Sequence, residues 1–183
     1  MSESDEKLLA RMIGGDEGAF AALYRRRQGA VYRFALHMTS SAALAEDVTQ
    51  DVFLTLLEAG RRYNSTRGTL LSFLFGIARK HVLRRIEKDS REPAMEVEDA
   101  AASDDLIEAL TRREAIEQVR RAVVSLPPIY REVVVLCDLE NASYEEAAAA
   151  LECPVGTIRS RLSRARSLLA VKLIKKTVGS LYE

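Results

Sequence analysis

The sequence has few of the residues that interrupt helices. Its 183 residues include only four prolines and nine glycines, and runs of β-branched residues are short. Alanine, leucine, arginine and glutamate dominate instead, and these side chains lose little freedom in a helix. A hydrophobic content of 48% is sufficient for a buried core. The composition therefore predicts an all-α protein.

The sequence also lacks the marks of membrane insertion, metal binding and catalysis. No apolar run approaches the roughly 20 residues that cross a bilayer, and the acidic N-terminal stretch does not resemble a signal peptide. The two cysteines, Cys137 and Cys153, do not have the spacing of zinc ligands. The two histidines, His37 and His81, lie in predicted helices, and no phosphate loop or catalytic triad is present. We therefore predict a cytoplasmic protein that is not an enzyme and needs no cofactor or metal.

The charges balance overall but are unevenly distributed. Lysine plus arginine and aspartate plus glutamate each number 27. Residues 61–91 nonetheless hold nine basic and two acidic side chains, residues 92–117 hold nine acidic and two basic, and residues 155–176 hold seven basic and none acidic. Two basic segments around an acidic one suggest two surfaces that bind the same polyanion. Two solvated helices joined by a soluble linker would give the same pattern, and that alternative stays open.

The segment 142–170 predicts two helices joined by a tight turn. Ser143 and Glu146 have the spacing of a capping box at a helix start, and an alanine run follows. Pro154 cannot continue that helix but suits the first turn of the next one. In the second helix the apolar residues recur every three or four positions, at Val155, Ile158, Leu162, Ala165 and Leu169. This pattern is typical of a helix-turn-helix.

The other side of that second helix carries hydroxyl and guanidinium groups. Arginine binds guanine edges or phosphates, and serine and threonine hydroxyls bind either. This side carries Thr157, Arg159, Ser160, Arg161, Ser163, Arg164 and Arg166, and we predict that it binds the major groove of DNA. An amphipathic hairpin with a solvated basic face is the alternative that the pattern leaves open.

Four helices are predicted before residue 90, at about 5–13, 16–38, 41–60 and 69–88. The third has an apolar side, for which we expect burial of Leu44, Val48, Val52, Phe53, Leu56 and Leu57. Its opposite side carries Glu46, Asp47, Gln50 and Asp51, which spacing alone assigns to a solvated face. The loop 61–69 combines an aromatic ring, hydrogen-bonding side chains and arginine, as needed to stack and bind an unpaired base. A plain surface loop is the alternative.

The predicted organisation is two small helical domains joined by a flexible linker. The first domain covers residues 1–89. An acidic linker without apolar periodicity covers 90–105. The second domain covers 106–183, with helices predicted at 106–124 and 128–136 before the helix-turn-helix.

Four motifs, in this order, give nearly the whole chain a resemblance to a known family. They are Glu46–Phe53 (EDVTQDVF), Phe73–Arg79 (FLFGIAR), Leu126–Val133 (LPPIYREV) and Cys153–Leu162 (CPVGTIRSRL). Between about residues 19 and 169 the chain resembles the group IV, or extracytoplasmic function (ECF), sigma factors. Members of this family are the promoter-specificity subunits of bacterial RNA polymerase.

The resemblance implies a role for each group of residues. The family's acidic motif docks on core RNA polymerase, which implies contacts through Asp47, Gln50 and Asp51. Its first domain melts and captures the promoter −10 element, which implies roles for Tyr63, Asn64, Thr66, Arg67, Arg79, Lys80 and Arg84. Its second domain binds the −35 element as a duplex, which implies roles for five of the residues on the predicted DNA-binding side: Thr157, Arg159, Ser160, Arg161 and Arg164. Free members are commonly held by an anti-sigma factor, so we expect such a partner at the apolar faces between the domains.

The chain departs from the family at three informative positions. Lys80 and Arg84 stand where members commonly have asparagine and aspartate, so we expect contacts to the DNA backbone there rather than to bases. Glu152 occupies a turn position where glycine is frequent. A free-standing helix-turn-helix regulator that binds an operator, without polymerase, is the alternative function, and a dimer on a palindromic site would support it.

Overall fold

The computed structural model describes residues 3–89 and 107–179, with side chains described within 3–88 and 115–174. Within these ranges the longer elements are all α-helices, as predicted. The linker predicted at 90–105 lies outside the described residues. The helices are α1 (Asp5–Ile13), α2 (Glu17–Thr39), α3 (Ala42–Ala59), α4 (Leu70–Asp89), α5 (Ile107–Val124), α6 (Pro128–Val134), α7 (Tyr144–Leu151) and α8 (Val155–Gly179).

The helix starts predicted from capping residues are confirmed. The Asp16 carboxylate accepts a hydrogen bond from the backbone N–H of Ala19, and the Ser41 hydroxyl accepts one from Leu44. At the start of α7, Ser143 and Glu146 form both hydrogen bonds of a capping box. Each bond satisfies a backbone donor that has no partner within its helix, which fixes where the helix begins.

Helices α1 to α4 pack together as a first unit. Its core includes Leu23, Phe34 and Leu74, which are fully buried, and Phe34 packs against Phe75 with ring centroids 5.4 Å apart. One expectation for α3 is wrong, because Leu57 is 50% exposed. Leu57 lies on the outward side of α3 with Leu54, which is 58% exposed, whereas Val52 and Leu56 point into the core.

Helices α5 to α8 form a second unit around the predicted helix-turn-helix. The apolar side of α8 is confirmed, with Ile158, Leu162 and Ala165 fully or almost fully buried and Val155 and Leu169 partly buried, both against the core. The turn before α8 places Glu152 in the left-handed region, at φ 52°. This explains why glycine, which adopts that conformation without steric cost, suits the position.

The second unit differs from expectation at α6. The helix does not end at Leu136 but continues as a π-helical turn, Val135–Leu139. The wider turn keeps Val135 and Leu136 buried and carries the chain to Asn141, another residue with positive φ. Cys137 and Cys153 are half-buried free thiols. Burial raises the pKa of Cys137 to about 11, so its thiol stays protonated and packs as an apolar group.

The two units pack directly against each other. Helix α4 of the first unit lies along α7 of the second, and α2 lies against α5 and α6. Gly76 permits a close approach of the two units, because a Cβ atom there would lie 3.2 Å from the carbonyl oxygen of Ala150. The sequence predicted apolar faces between the two domains but not which helices meet at this seam, because periodicity describes the faces of one helix and not the pairing of distant helices.

Candidate functional site

The residues predicted to bind core polymerase lie on the outer side of α3. Asp47 and Gln50 are exposed, and Leu54 and Leu57 extend the same side toward the end of the helix. The surface is therefore amphipathic rather than purely acidic. The sequence analysis did not include these two leucines in the interface. It assigned Leu57 to the core and gave Leu54 no role.

Asp51 differs from its two neighbours in this set because it already has partners. Its carboxylate accepts a hydrogen bond from Arg85 at 2.7 Å and lies 3.6 Å from Nδ1 of His81. Burial lowers the pKa of His81, while the nearby carboxylate opposes that shift. His81 also contacts the Thr55 hydroxyl through Nε2 at 3.2 Å. Asp51 thus ties α3 to α4, and only its remaining exposed surface can meet a partner.

The loop predicted to capture an unpaired base is held in shape by its own side chains. The Tyr63 hydroxyl donates to the carbonyl of Gly68 at 3.1 Å, and the Tyr63 ring packs on Phe73. Asn64 accepts hydrogen bonds from the backbone N–H and the hydroxyl of Thr66. Arg67 is exposed at the end of a short 3₁₀ turn. Two short 3₁₀ turns therefore replace the irregular loop expected there.

The three cations predicted on α4 have different surroundings. Arg84 is exposed. The Arg79 guanidinium donates from Nε to Glu132 of α6 at 2.7 Å, and Lys80 lies 3.5 Å from Glu152 in a pair whose members are both largely exposed. Arg79 and Lys80 therefore face the second unit, whereas Arg84 faces solvent.

The predicted duplex-binding surface occupies the first three turns of α8. Arg159, Ser160 and Arg164 are exposed, and Thr157 is partly exposed. The Arg159 guanidinium lies over the ring of Tyr144, 5.8 Å from its centroid, which restricts the side chain while leaving its charge accessible. Arg161 is different, because it lies 3.7 Å from Glu132. Four of the five side chains therefore form a continuous exposed front.

Glu132 is the functional candidate that the sequence reasoning missed. Its side chain is 1% exposed and contacts both Arg79 and Arg161, which belong to different predicted DNA-binding sets. A buried carboxylate requires such partners, since a lone charge in the interior is costly. The sequence does mark Glu132, because it is the one acidic residue of the motif Leu126–Val133 and stands directly before three consecutive valines. The sequence analysis assigned it no function.

Two further polar contacts cross the seam and were also missed. Arg33 of α2 forms a two-bond pair with Glu140, at 2.8 and 3.1 Å, and the Glu140 side chain is 3% exposed. Arg131 donates to the carbonyl of Met38 at the end of α2, and to those of Val124 and Leu126. A cation at the C-terminal ends of helices is favourable because the free carbonyls there carry partial negative charge.

Within residues 3–88 and 115–174, no group of three or more histidine, cysteine, aspartate or glutamate side chains is arranged to hold a metal ion. Among the helices that the structure describes, none is both long and apolar enough to cross a membrane. The described surface instead offers exposed cations on α4 and α8 and an amphipathic side on α3.

The second unit contains a helix-turn-helix, and the first unit has a separate amphipathic face on α3. One part can therefore contact DNA while the other contacts a protein. Residues 23–92 match the family model of sigma-70 region 2, and residues 116–169 match that of sigma-70 region 4. The chain belongs to the sigma-70 family, as one of its ECF sigma factors. This result confirms the resemblance carried by the four sequence motifs.

Individual relatives support the assignment along the whole chain. The ECF RNA polymerase sigma-E factor of Escherichia coli is 33% identical, over 94% of this chain and 97% of the relative. The ECF sigma factor SigE of Mycolicibacterium smegmatis is also 33% identical, over 88% of this chain, but this chain spans only 65% of that relative. The sigma factor RpoE of Bartonella quintana, solved in complex with the anti-sigma factor NepR, superposes with a TM-score of 0.68 at 27% identity, covering 84% of this chain and 96% of that one.

Proposed function

We propose that the chain directs bacterial core RNA polymerase to particular promoters in the cytoplasm. The first domain, residues 1–89, binds the polymerase and captures one strand of the melted −10 element. The second domain, residues 106–183, binds the −35 element as a duplex, and residues 90–105 link the two. The chain performs no catalytic step of its own.

The observation that carries this proposal is that each of the two units has a cationic surface of its own. The front of α8 offers Arg159, Ser160 and Arg164 on a helix whose other side is buried, as a major groove requires. The α4 surface, with Arg79, Lys80 and Arg84, belongs to the helix that directly follows the loop containing Tyr63 and Arg67. Stacking side chains beside cations suit a single strand, whereas a cationic helix suits a duplex. A simple operator-binding regulator needs only the second.

The outer side of α3 supplies the proposed polymerase contact. Asp47 and Gln50 are available for polar contacts, and Leu54 and Leu57 offer apolar area beside them. Apolar side chains surrounded by polar ones are characteristic of protein interfaces, and their burial provides most of the binding free energy.

Replacing Asp47 by alanine should weaken binding to core polymerase about tenfold while leaving the fold intact. The side chain is exposed, so its loss removes a charge-assisted contact at the interface and little from the stability of the chain. Affinity is measured by fluorescence anisotropy of labelled protein titrated with core polymerase.

The matched control is Glu17→Ala, which removes one exposed carboxylate from a different helix, α2. It should bind like the unchanged protein. Asp51→Ala is a poorer probe, because it also breaks the ion pair with Arg85. Equal affinities for the Asp47 and Glu17 variants would rule out this side of α3 as the contact.

We also propose that an anti-sigma factor holds the chain when it is not bound to polymerase. The related RpoE was solved in complex with the anti-sigma factor NepR. The sequence placed such a partner at the apolar faces between the domains, but α4 packs against α7 there. We therefore propose that the partner covers apolar side chains that the second unit exposes: Ile116, Val119, Ile129, Leu168, Val171 and Ile174. Purification of the tagged chain from its native cells should recover a small regulator that competes with core polymerase. Repeated recovery of polymerase subunits without such a regulator would overturn this proposal.

A further inference from the structure

Asp51 lies on the boundary between the proposed polymerase contact and the interface of α3 with α4. It follows Asp47 by four residues and precedes Leu54 by three, so the three side chains share one side of α3. Asp47 and Leu54 are exposed, whereas the Asp51 side chain is only 39% exposed. The Asp51 carboxylate therefore meets solvent on one side and helix α4 on the other.

The contacts of the Asp51 carboxylate with α4 use only one of its two oxygens. Arg85 donates a hydrogen bond from its guanidinium group to Oδ2 at 2.7 Å, and Nδ1 of His81 lies 3.6 Å from the same oxygen. Neither contact uses Oδ1. This second oxygen is therefore left to accept a hydrogen bond from outside the chain.

The Arg85 guanidinium is itself held in place on α4. A second guanidinium nitrogen donates to the backbone carbonyl of His81, one turn earlier in the helix, at 3.4 Å. Only 25% of the Arg85 side chain is exposed, so packing of its stem also restricts it. The guanidinium therefore offers Asp51 a fixed donor rather than a mobile charge that would follow the carboxylate.

His81 does not bind the carboxylate while its ring is neutral. The Thr55 hydroxyl donates its only hydrogen to the backbone carbonyl of Asp51 at 2.7 Å. The hydroxyl must therefore accept from Nε2 of His81, which lies 3.2 Å away. The proton of the neutral ring is thus on Nε2, and Nδ1 has no hydrogen to donate to Asp51. Arg85 is the group that fixes the carboxylate.

We propose that Arg85 is a positioning residue for the polymerase contact, because it holds the Asp51 carboxylate with Oδ1 free for the partner. This inference rests on the proposed function, which makes the outer side of α3 the surface that binds core polymerase. A side chain that is held before binding loses less freedom when it binds, so a larger part of the interaction appears as affinity. Arg85 acts through Asp51 and does not itself have to touch polymerase.

The sign of the effect distinguishes positioning from two other roles. An arginine that only neutralised Asp51 would compete with cations of the polymerase, so its removal would strengthen binding. An arginine that only tied α3 to α4 would change the stability of the chain and leave the affinity for polymerase unchanged. Positioning predicts weaker binding without Arg85, and predicts it only while the Asp51 carboxylate is present.

The test uses a double-mutant cycle with a rescue and a control. Arg85→Met keeps much of the apolar stem and removes the charge. Asp51→Asn keeps the shape of the side chain and removes its charge, and a variant with both changes completes the cycle. Arg85→Lys restores a cation that can make the one hydrogen bond to Oδ2. The control is Lys88→Met, which removes an exposed cation from the same helix.

The affinity of each full-length variant for core polymerase is measured without DNA, by fluorescence anisotropy. Asp51→Asn should weaken binding about tenfold and Arg85→Met about fivefold, and the variant with both changes should stay within about twofold of Asp51→Asn alone. Arg85→Lys should recover most of the affinity lost in Arg85→Met. Lys88→Met should bind like the unchanged protein.

NMR titration of the His81 ring shows whether these contacts form in the free chain. Burial lowers the pKa of His81, the Asp51 carboxylate opposes that shift, and the guanidinium groups of Arg85 and Arg84 add to it. Asp51→Asn should therefore lower the pKa of His81 further, and Arg85→Met should raise it. A ring whose titration is the same in both variants would overturn the proposal.

The remaining outcomes separate the role of Arg85 from the proposed function. Unchanged or tighter binding of Arg85→Met would overturn the positioning, as would an equal loss with and without the Asp51 carboxylate. Full affinity of Asp51→Asn would overturn it too, and full affinity of Asp47→Ala as well would contradict the proposed contact on α3. If Arg85→Met lost helical circular dichroism, Arg85→Gln, a neutral side chain with a polar end, would take its place.

Discussion

Replacing Arg159 or Arg164 by alanine is expected to weaken binding to the −35 duplex by about 1–3 kcal/mol each. Both side chains are exposed on α8, and the ring of Tyr144 restricts Arg159, so less freedom is lost when it binds. Loss of a cation that contacts phosphate should lower the affinity for every sequence and reduce the salt dependence by about one counterion. Loss of a cation that contacts a base edge should instead relax the sequence selectivity at one position.

The measurement uses a duplex selected by the unchanged chain from a random library, titrated at several salt concentrations. Arg121→Ala is the matched control, since Arg121 is an exposed arginine on α5 that pairs with Glu117. It should bind like the unchanged protein. If both α8 variants kept full affinity and selectivity at moderate salt, α8 would not be the DNA-binding helix.

Replacing Phe34 by alanine should have the largest effect on stability, about 3–5 kcal/mol. Its ring is fully buried between helices of the first unit and packs on Phe75. The change removes buried apolar area and leaves a cavity that the surrounding helices fill only in part. Because a whole domain is typically stable by only about 5–15 kcal/mol, the first unit should become marginal. Guanidinium unfolding, followed by circular dichroism, measures the loss.

Leu54→Ala is the control for this prediction, because Leu54 is 58% exposed on the outer side of α3. Its effect on the free energy of unfolding should stay within about 0.5 kcal/mol. The same variant should nonetheless weaken binding to core polymerase if that side of α3 is the contact. A loss below 1 kcal/mol for Phe34→Ala would mean that α2 does not pack as the structure has it.

The helices were predictable from sequence because each depends on local information. Asp16, Ser41 and Ser143 mark helix starts through hydrogen bonds that span only three residues. The apolar period of α8 identified its buried side, since 3.6 residues per turn place every third or fourth residue on one face. The continuation of α6 as a π turn was not predictable, because no local residue preference indicates it.

Local sequence patterns could not predict which residues of the two units pair with each other. Arg79 and Glu132 are 53 positions apart, and nothing in either neighbourhood indicates the other. Similarly, Leu57 fitted an apolar period but lies on the outward side of α3, where it is 50% exposed. Motif resemblance identified the residues proposed to meet DNA and polymerase. It could not indicate which of these residues form ion pairs with carboxylates of the chain itself.

The most direct test of the proposed function is run-off transcription with purified bacterial core RNA polymerase and a library of genomic promoter fragments. A sigma factor should make initiation specific, so that transcripts appear from a subset of fragments only when this chain is present. Those fragments should share two sequence elements, a −35 element and a −10 element. Absence of core binding and of chain-dependent transcripts, with duplex DNA still bound, would contradict the proposal and favour an operator-binding regulator.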